Sequence, residues 1–435
     1  MTAAGPTDAV EAKAPAIAEG ARRSALTLLF FAYVFSITDR QIVSILFQPI
    51  KAEFGLSDTQ LGLLGGLAFG VFYATLGIPI ALVADKGRRR EIVAGSLAIF
   101  SAMTALCGMA QSFWQLVLAR FGVGIGEAGV NPASHSIIAD YYPPERRSTV
   151  MSVLAMGANM GMLIGLIVGG FVSQAYGWRA AFLVVGLPGV ILAVLVQLFL
   201  KEPPRGLSEG RVAKSEAPPL GQSLGYIWRN RAMRHLIAGS TICGVVTYGL
   251  GQWQPTFFMR VHEMPASQVG VTLGLLFGGV GGVGALCGGW LTDRLQNRRA
   301  AWGMWMIAAV MVAMIPLHVL AFRAESTVAS LALFLLPVFT SAFYLGPSLA
   351  LVQGLAPLRM RSISAAVKML CMNLIGLGIG PTVVGVLSDL FEPTYGQDSL
   401  RMALIVMSLL PIWAAVHFYI CGRNLEAGLA KARED

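Results

Sequence analysis

The chain has 435 residues, of which 55% are hydrophobic and only 13% are charged, which is far more apolar than a soluble protein of this size. This composition excludes a soluble globular protein and predicts an integral membrane protein. The net charge of +9 would suit a nucleic-acid-binding protein, but the basic residues are distributed as membrane-topology signals, so nucleic acid is not expected as a partner.

Apolar segments of about 20 residues, long enough to cross roughly 30 Å of hydrocarbon, recur along the chain. They predict an all-α membrane protein with twelve transmembrane helices, which cover approximately residues 25–47, 60–83, 92–110, 114–138, 149–174, 178–200, 235–258, 267–291, 301–322, 327–355, 362–388 and 401–420. No cleavable signal precedes the first segment, which is therefore expected to remain as a span.

The longest polar stretch, residues 201–234, separates six predicted spans from six others. The expected organisation is two six-helix bundles joined by this cytoplasmic linker and flanked by two cytoplasmic tails. Its parts are the N-terminal tail (1–23), the first bundle (24–200), the linker (201–234), the second bundle (235–421) and the C-terminal tail (422–435).

The basic residues predict the orientation of the bundles. If both termini are cytoplasmic, the tails and the even-numbered connections hold 24 of the 32 Lys and Arg residues, and the opposite loops hold five. This asymmetry follows the positive-inside rule. As an integral, multi-pass membrane protein, it is expected in the inner membrane if the chain is bacterial.

Four ionisable residues interrupt the apolar segments. Asp39 and Arg40 lie in the first span, and Arg120 and Glu127, two helical turns apart, lie in the fourth. At about 1.5 Å of rise per residue, Asp39 and Arg120 fall at the same depth in the outer half of the membrane, and Glu127 falls near the midplane. Charges within hydrocarbon cost several kcal/mol unless they pair, so they indicate a pathway through the membrane.

The two predicted bundles resemble each other at an offset of roughly 210 residues. Asp85–Arg90 follows the second span as Asp293–Arg299 follows the eighth, and Pro143–Ser148 follows the fourth as Pro357–Ser362 follows the tenth. Twelve spans, a central loop and these acidic–basic motifs resemble the major facilitator superfamily. The resemblance covers about residues 24–421 and implies the major facilitator fold, with a substrate site between the bundles.

Two segments are similar to the spinster family within that superfamily: Phe35–Arg40, and Arg120–Ala128 with its glycine-rich interior. The superfamily resemblance implies that spans 1 and 4 line a central cavity, where Arg120 would contact Asp39 on one side and Glu127 on the other, and that the fourth span takes part in proton coupling. The spinster resemblance implies an amphipathic lipid-like substrate.

The buried charges can act as a proton switch. Asp39 and Glu127 are the groups that would titrate, because an acid beside a fixed cation stays ionised and takes up a proton when that cation moves away from its desolvated site. Arg120 would supply the cation, since a guanidinium keeps its charge. The alternative is a static ion network that only fixes helix packing.

Candidate substrate-binding residues are polar or aromatic side chains within the predicted spans. The arginines could bind an anionic head group through forked hydrogen bonds. The full set is Arg40, Arg120, Glu127, Asn131, Tyr248, Gln252, Trp253 and Gln353. The aromatic members could equally pack in the core or face lipid.

The acidic–basic loops predict a cytoplasmic gate. Acidic residues at helix ends could pair with neighbouring arginines, and breaking those pairs would open the inner side. The residues are Asp85, Arg88, Arg89, Asp293, Arg294 and Arg298. The alternative is that these charges serve only membrane topology.

Two further features concern spans 5 and 11. Gly157, Gly161, Gly165 and Gly169 form a four-residue repeat that favours close helix packing or, alternatively, a sliding surface. Lys368 is predicted to extend its long stem so that the ammonium reaches the cytoplasmic surface.

The sequence thus predicts a monomeric secondary transporter that works by alternating access. Its expected partners are a small amphipathic substrate of the sphingolipid or lysolipid type, protons and the lipid bilayer. A drug or organic-anion/proton antiporter is the leading alternative. A non-transporting lipid sensor or a membrane enzyme would be a different class, but no nucleophile and base, metal cluster or cofactor motif indicates catalysis.

Overall fold

The computed structural model describes residues 19–204 and 219–434, apart from the side chains of residues 78, 81, 82, 84–86, 144, 145, 148, 433 and 434. The described residues form helices and contain no strand. The helices of the first half are α1 (Glu19–Phe54), α2 (Asp58–Gly65), α3 (Leu67–Lys86), α4 (Arg89–Cys107), α5 (Phe113–Glu127), α6 (Val130–Tyr141), α7 (Pro144–Tyr176) and α8 (Trp178–Phe199).

The second half contains α9 (Leu220–Arg229), α10 (Arg231–Val261), α11 (Ala266–Gly274), α12 (Gly282–Gln296), α13 (Ala300–Arg323), α14 (Thr327–Ser341), α15 (Leu345–Gly354), α16 (Arg361–Cys371), α17 (Gly378–Tyr395), α18 (Ser399–Met407), α19 (Pro411–Arg423) and α20 (Leu425–Glu434). Wider π-helical turns join α11 to α12 (Leu275–Gly281) and α16 to α17 (Met372–Leu377). Helix α9 lies within the predicted linker, and α20 within the predicted C-terminal tail.

Nine helical stretches in the described part of the chain are long and apolar enough to cross a membrane. Several predicted spans consist of two shorter helices separated by a brief turn, as in α2 and α3, α5 and α6, and α14 and α15. The all-α membrane architecture is therefore confirmed, and the division into twelve spans stays a prediction.

The same helix packing occurs in both halves. In the first half α1 packs on α7, α4 packs on α5 and α8, and α3 packs on α5. At the corresponding places of the second half α10 packs on α17, α13 packs on α14 and α19, and α12 packs on α14. Packing thus follows the internal repeat seen in the loop motifs.

We name the two ends of the bundle by residues that lie there. The linker face contains Glu202 and Asn230, which flank the segment between the halves, and the opposite face contains Phe54 and Val261, where α1 and α10 end. In the predicted orientation the linker face is cytoplasmic.

The glycine repeat on α7 packs against α1. A Cβ atom at Gly161 would lie 2.5 Å from the Val34 carbonyl oxygen, and one at Gly165 would lie 2.8 Å from the Thr38 carbonyl oxygen. The Thr38 hydroxyl also donates to the Gly161 carbonyl oxygen at 3.1 Å. These glycines therefore bring α7 close enough to fix α1, which carries two of the four buried charges.

Replacing Gly161 with alanine should lower thermal stability in detergent by several degrees, because overpacking of a tight contact typically costs about 1–3 kcal/mol. Gly251→Ala is the matched control, since a Cβ there would meet nothing within 4 Å. The melting temperatures of both variants would be measured by intrinsic fluorescence. Equal melting temperatures would contradict the role assigned to this contact.

Candidate functional site

The four charged residues of α1 and α5 form two separate ion pairs. Arg120 Nη1 lies 3.4 Å from Asp39 Oδ2, and Arg40 Nη2 lies 3.0 Å from Glu127 Oε2. The side chains of Asp39, Arg120 and Glu127 are at most 1% exposed, whereas that of Arg40 is 11% exposed. The network is thus charge-balanced, and its accessible member is Arg40.

This pairing differs from the predicted one in a single contact. We expected Arg120 to contact both acids, but Glu127 is paired with Arg40 instead. Consecutive helical residues point about 100° apart, so Asp39 and Arg40 reach different partners. Glu127 is also the last residue of α5, where the chain turns before α6 begins at Val130.

Each carboxylate also accepts a hydrogen bond from a hydroxyl group. Thr104 of α4 donates to Asp39, and Ser36 of α1 donates to Glu127 Oε1 at 2.5 Å. Among the described residues, the buried Nε and Nη2 atoms of Arg120 have no hydrogen-bond partner. Arg120 therefore retains donors that a ligand or a rearranged network could use.

An aromatic pair on α3 lies against both guanidinium groups. The Phe69 ring centroid is 4.9 Å from Arg40 Cζ and 5.1 Å from Arg120 Cζ. The Tyr73 ring stacks on Phe69 and lies 4.6 Å from Arg40 Cζ. These cation–π contacts stabilise two like charges near one another.

The glycine-rich stretch of α5 positions the network. A Cβ atom at Gly124 would lie 2.6 Å from the Phe69 carbonyl oxygen, and one at Gly126 would lie 2.5 Å from the Phe100 backbone nitrogen. Helices α3 and α4 can therefore approach α5 closely on either side. This close approach places Phe69 and Thr104 beside the two ion pairs.

Two predicted substrate-binding residues lie near this network. Asn131 of α6 donates to the Tyr73 hydroxyl oxygen at 3.4 Å. Tyr248 of α10 is half-buried and packs against the core of the first half, close enough for electrostatic interaction with Arg40. The second half thus contributes at least one side chain to the surroundings of Arg40.

The other predicted substrate-binding residues lie elsewhere. Trp253 is fully buried, donates from Nε1 to the Pro381 carbonyl oxygen at 2.9 Å and packs on Phe47. Gln252 is also buried, whereas Gln353 is exposed near the linker-face end of α15. In this conformation Trp253 therefore belongs to the core between the halves rather than to a cavity wall.

Lys368 of α16 does not reach the surface as predicted, because only 1% of the residue is exposed. It lies near Cys243 of α10, inside the second half. The prediction of a snorkelling side chain is wrong because the core of the second half covers the whole residue.

At the linker face of the first half, the predicted gating residue Arg89 joins three segments. Its Nε atom donates to Glu202 Oε1 at 2.8 Å, its Nη1 atom donates to Asp140, and its Nη2 atom donates to the Pro203 carbonyl oxygen at 2.9 Å. Arg88 is exposed and pairs with Glu91 at 2.9 Å.

The remaining predicted gating residues show no comparable arrangement. The side chain of Asp85 lies outside the described residues. Asp293, Arg294 and Arg298 are exposed at the end of α12, and the Arg294 guanidinium lies 5.5 Å from the Trp290 ring centroid. A gating role for these residues stays a prediction.

A second charged cluster, at the opposite face, was not predicted. Asp58 at the start of α2 accepts hydrogen bonds from Arg260 at 2.7 and 2.9 Å, from Ser388 at 2.6 Å and from Lys51 at 2.5 Å. Asp389 of α17 accepts from the Asp58 backbone nitrogen at 2.9 Å. Each half therefore supplies an aspartate that binds the other half.

These contacts define the conformation of the molecule. In the described part of the chain, the hydrogen bonds that join the two halves lie at or near the opposite face. The first half contributes residues of α1, α2 and the end of α7, and the second half contributes residues of α10, α11 and α17. The bundle is therefore closed at the opposite face.

Comparison with known proteins identifies the family. Residues 29–381 match the model of the Major Facilitator Superfamily. An MFS-type efflux pump of Mycolicibacterium smegmatis is 34% identical over 89% of this chain and 90% of its own length. Protein spinster homolog 1 of Xenopus tropicalis is 28% identical over 88% of this chain and 77% of its own length.

A solved structure agrees with this assignment. The crystal structure of a bacterial homologue of the human lysosomal transporter spinster, in an inward-facing and unoccupied conformation, superimposes with a TM-score of 0.85. It is 28% identical, and the match covers 95% of this chain and 99% of the other. The chain belongs to the major facilitator superfamily: it is an integral, multi-pass membrane transporter rather than an enzyme, and it carries a small substrate by alternating access.

Proposed function

We propose that this transporter couples the movement of an anionic, amphipathic lipid-like molecule of the lysolipid or sphingolipid type to the movement of protons. The observation that carries the proposal is the Arg40–Glu127 ion pair, whose arginine is the accessible member of an otherwise inaccessible network. An accessible guanidinium that holds a buried carboxylate is suited to exchange that carboxylate for an anionic ligand.

The proposed coupling step is a competition for Arg40. An anionic head group that binds the Arg40 guanidinium displaces Glu127, and the carboxylate left without its cation in a desolvated site takes up a proton. Arg40 keeps its charge throughout, because guanidinium groups stay protonated in proteins. One proton would therefore enter the site with each anionic head group.

The second ion pair has a different proposed role. Asp39 and Arg120 are both almost inaccessible, and Thr104 donates to Asp39. Movement of α1 relative to α5 would break this pair, so Asp39 could take up a proton during the conformational change. The free donors of Arg120 support a contribution to head-group binding in another conformation.

The aromatic surroundings support an amphipathic substrate. Tyr73 lines one side of Arg40, and Tyr248 approaches from the second half; both rings are partly exposed, whereas Phe69 behind them is buried. Such a site offers an apolar surface beside a fixed positive charge, which suits an acyl chain attached to an anionic head group. The resemblance to the spinster family supports the same substrate class.

A drug or organic-anion/proton antiporter is the second candidate, favoured by the similarity to an MFS-type efflux pump. Proteoliposomes distinguish the two. Uptake of a labelled lysophospholipid driven by a pH gradient, competed poorly by compact organic anions, would support the first proposal. Stronger competition by organic anions or cationic drugs than by lysophospholipids would favour the antiporter.

Arg40→Lys tests the head-group role directly. Lysine keeps the charge but loses the forked geometry, so the apparent KM for an anionic lysolipid should rise about ten-fold, the equivalent of losing one charge-assisted hydrogen bond. Uptake of a zwitterionic analogue should change less. Equal effects on both substrates would contradict recognition of an anionic head group by Arg40.

Arg88→Lys is the matched control, because Arg88 is exposed at the linker face and pairs with the exposed Glu91. It should leave the KM for both substrates within about two-fold, since exposed ion pairs contribute little.

A further inference from the structure

Helix α9 is the first helix of the second half and packs on its other helices along one face. Its buried residues are Ser223, Tyr226 and Ile227. The Tyr226 hydroxyl donates to the Leu355 carbonyl oxygen at 2.9 Å, just past the end of α15. Helix α9 therefore has a defined position at the linker face.

The junction between α9 and α10 is also held in place. Asn230 ends α9, and its side chain accepts a hydrogen bond from the Met233 backbone nitrogen at 3.2 Å, which caps α10. The same side chain donates to the Gly428 carbonyl oxygen of α20 at 3.3 Å. Because the junction is buried and capped, the outward face of α9 has a fixed orientation.

The outward face of α9 is a stripe of large apolar side chains. Leu220, Leu224 and Trp228 are 60%, 44% and 72% exposed. They are spaced four residues apart, so they fall on one side of the helix. An exposed apolar stripe on a helix with a buried inner face is typical of a helix that lies in the membrane interface.

The charged residues that follow this stripe in the chain are arginines. Arg229 and Arg231 are exposed, and the Arg234 guanidinium lies 5.7 Å from the Trp228 ring centroid. No Asp or Glu occurs between residues 220 and 262. A row of arginines beside an interfacial tryptophan complements the phosphate groups of anionic lipids.

We propose that α9 binds anionic phospholipid at the linker face of the membrane. Leu220, Leu224 and Trp228 would enter the boundary between head groups and acyl chains, while Arg229 and Arg231 bind phosphate oxygens. The partner is a lipid with net negative charge, such as phosphatidylglycerol, because a zwitterionic head group offers no net charge to the arginines.

This interaction has a consequence for the moving parts of the transporter. Helix α9 packs on α16 as well as on α10. Helix α16 continues through the π-helical turn Met372–Leu377 into α17, which carries the contacts that close the opposite face. Anionic lipid bound to α9 would therefore hold the linker-face ends of α10 and α16 at a fixed depth in the membrane.

Quenching of Trp228 fluorescence tests the proposal. The full chain is reconstituted into vesicles with equal amounts of phosphatidylcholine and phosphatidylglycerol, with bromine on the acyl chains of one lipid or the other. The chain has eight Trp residues, so the signal of Trp228 is obtained as the difference between the parent protein and Trp228→Phe. We expect it to be quenched roughly two-fold more by brominated phosphatidylglycerol than by brominated phosphatidylcholine.

Two controls make the result specific. In the double variant Arg229→Gln/Arg231→Gln, Trp228 should be quenched equally by the two brominated lipids. In Arg298→Gln/Arg299→Gln, quenching of Trp228 by brominated phosphatidylglycerol should remain the stronger. The signal of Trp114, which is 68% exposed at the start of α5, should show no preference.

Equal quenching of Trp228 by the two lipids would overturn the proposal, as would an unchanged preference in the Arg229→Gln/Arg231→Gln variant. Absence of quenching by either lipid would also overturn it, because the stripe would then be covered by protein, either the segment 205–218 or a second copy of the chain. A preference of the same size at Trp114 would show general enrichment of anionic lipid around the protein rather than a site on α9.

Discussion

Replacing Glu127 with glutamine should abolish uptake driven by a pH gradient while preserving exchange of substrate across the membrane. Glutamine has nearly the same shape: its carbonyl oxygen can still accept the hydrogen bond from Arg40 while its NH2 group donates to the Ser36 hydroxyl oxygen, but it cannot take up a proton. The site would therefore bind substrate without coupling it to proton movement. Uptake and counterflow would be measured in the same preparation of proteoliposomes.

Folding of the Glu127→Gln variant can be checked separately. The change removes the negative charge that faces Arg40 and should lower the free energy of unfolding by about 3–5 kcal/mol, the cost typical of removing one partner of a buried ion pair. A melting curve and retained counterflow would show that the loss of driven uptake is not a loss of fold. Glu392→Gln is the matched control because Glu392 is exposed on α17, and its uptake should be unchanged.

The companion variant Asp39→Asn assigns the titrating group. Loss of driven uptake in both variants would indicate that both acids exchange protons during the cycle. Loss in Glu127→Gln alone would leave Asp39 with a positioning role through Arg120. Full pH-driven uptake by Glu127→Gln would rule out the competition mechanism for Arg40.

The estimated depths of the charged residues in the membrane correctly predicted the contact between Asp39 and Arg120. The rise per residue placed Asp39 and Arg120 at one level, and the structure pairs them. Rotation about the helix axes was not predictable, because it depends on packing between α1, α4 and α5. For this reason the sequence does not predict the pairing of Arg40 with Glu127, although it offers both as candidate site residues.

Other members of the site carry no distinctive sequence signal. Phe69, Tyr73 and Thr104 are of residue types common in membrane spans, and only the fold brings them to the charged network. Ser36 lies within the Phe35–Arg40 motif, but its bond to Glu127 depends on the same packing. The glycine-rich stretch of α5 was visible as a motif, but its physical role, a close approach to Phe69 and Phe100, depends on which helices flank it.

The cluster at the opposite face was missed for a different reason. Asp58, Arg260 and Asp389 lie near the ends of apolar segments, where charged residues are expected on grounds of topology alone. Their partners come from the other half of the chain, and no spacing in the sequence relates residue 58 to residue 260. The linker-face motifs can be recognised in the sequence because they repeat, whereas these residues do not repeat.

Replacing Asp58 with asparagine should open the opposite face. Asp58 is 2% exposed and binds Arg260 through two hydrogen bonds, so its carboxylate is the main link between the two halves at this end. Without that charge, Lys51 and Arg260 would face each other with no anion between them. Removing one partner of a buried ion pair typically costs about 3–5 kcal/mol.

This loss of free energy destabilises the conformation in which the opposite face is closed. The hydrogen bonds of Asp58 to Arg260 and Ser388 join the two halves and are lost when the opposite face opens, so the variant weakens the closed state more than the open one. Since about 1.4 kcal/mol corresponds to a factor of ten, the ratio of closed to open molecules should fall by roughly 100-fold or more. A population that is almost entirely closed would become a mixture.

Distances between spin labels on the two halves measure this shift. Ala52 and Thr394 are exposed near the ends of α1 and α17 at the opposite face. Both can be replaced by labelled cysteine once the exposed Cys287 and the partly exposed Cys371 are changed to serine. We expect one short distance in the parent protein, and an additional longer distance in Asp58→Asn.

Glu53→Gln is the matched control for this experiment. Glu53 is an acid at the same face, but its partners Arg179 and Trp178 belong to its own half, so its loss weakens the open and closed states alike. The distance distribution of this variant should match that of the parent protein. An unchanged distribution in Asp58→Asn, or equal changes in both variants, would show that Asp58 does not hold the two halves together. A selective change would mean that the transporter closes this face with ionic contacts that Asp58 forms between its two halves.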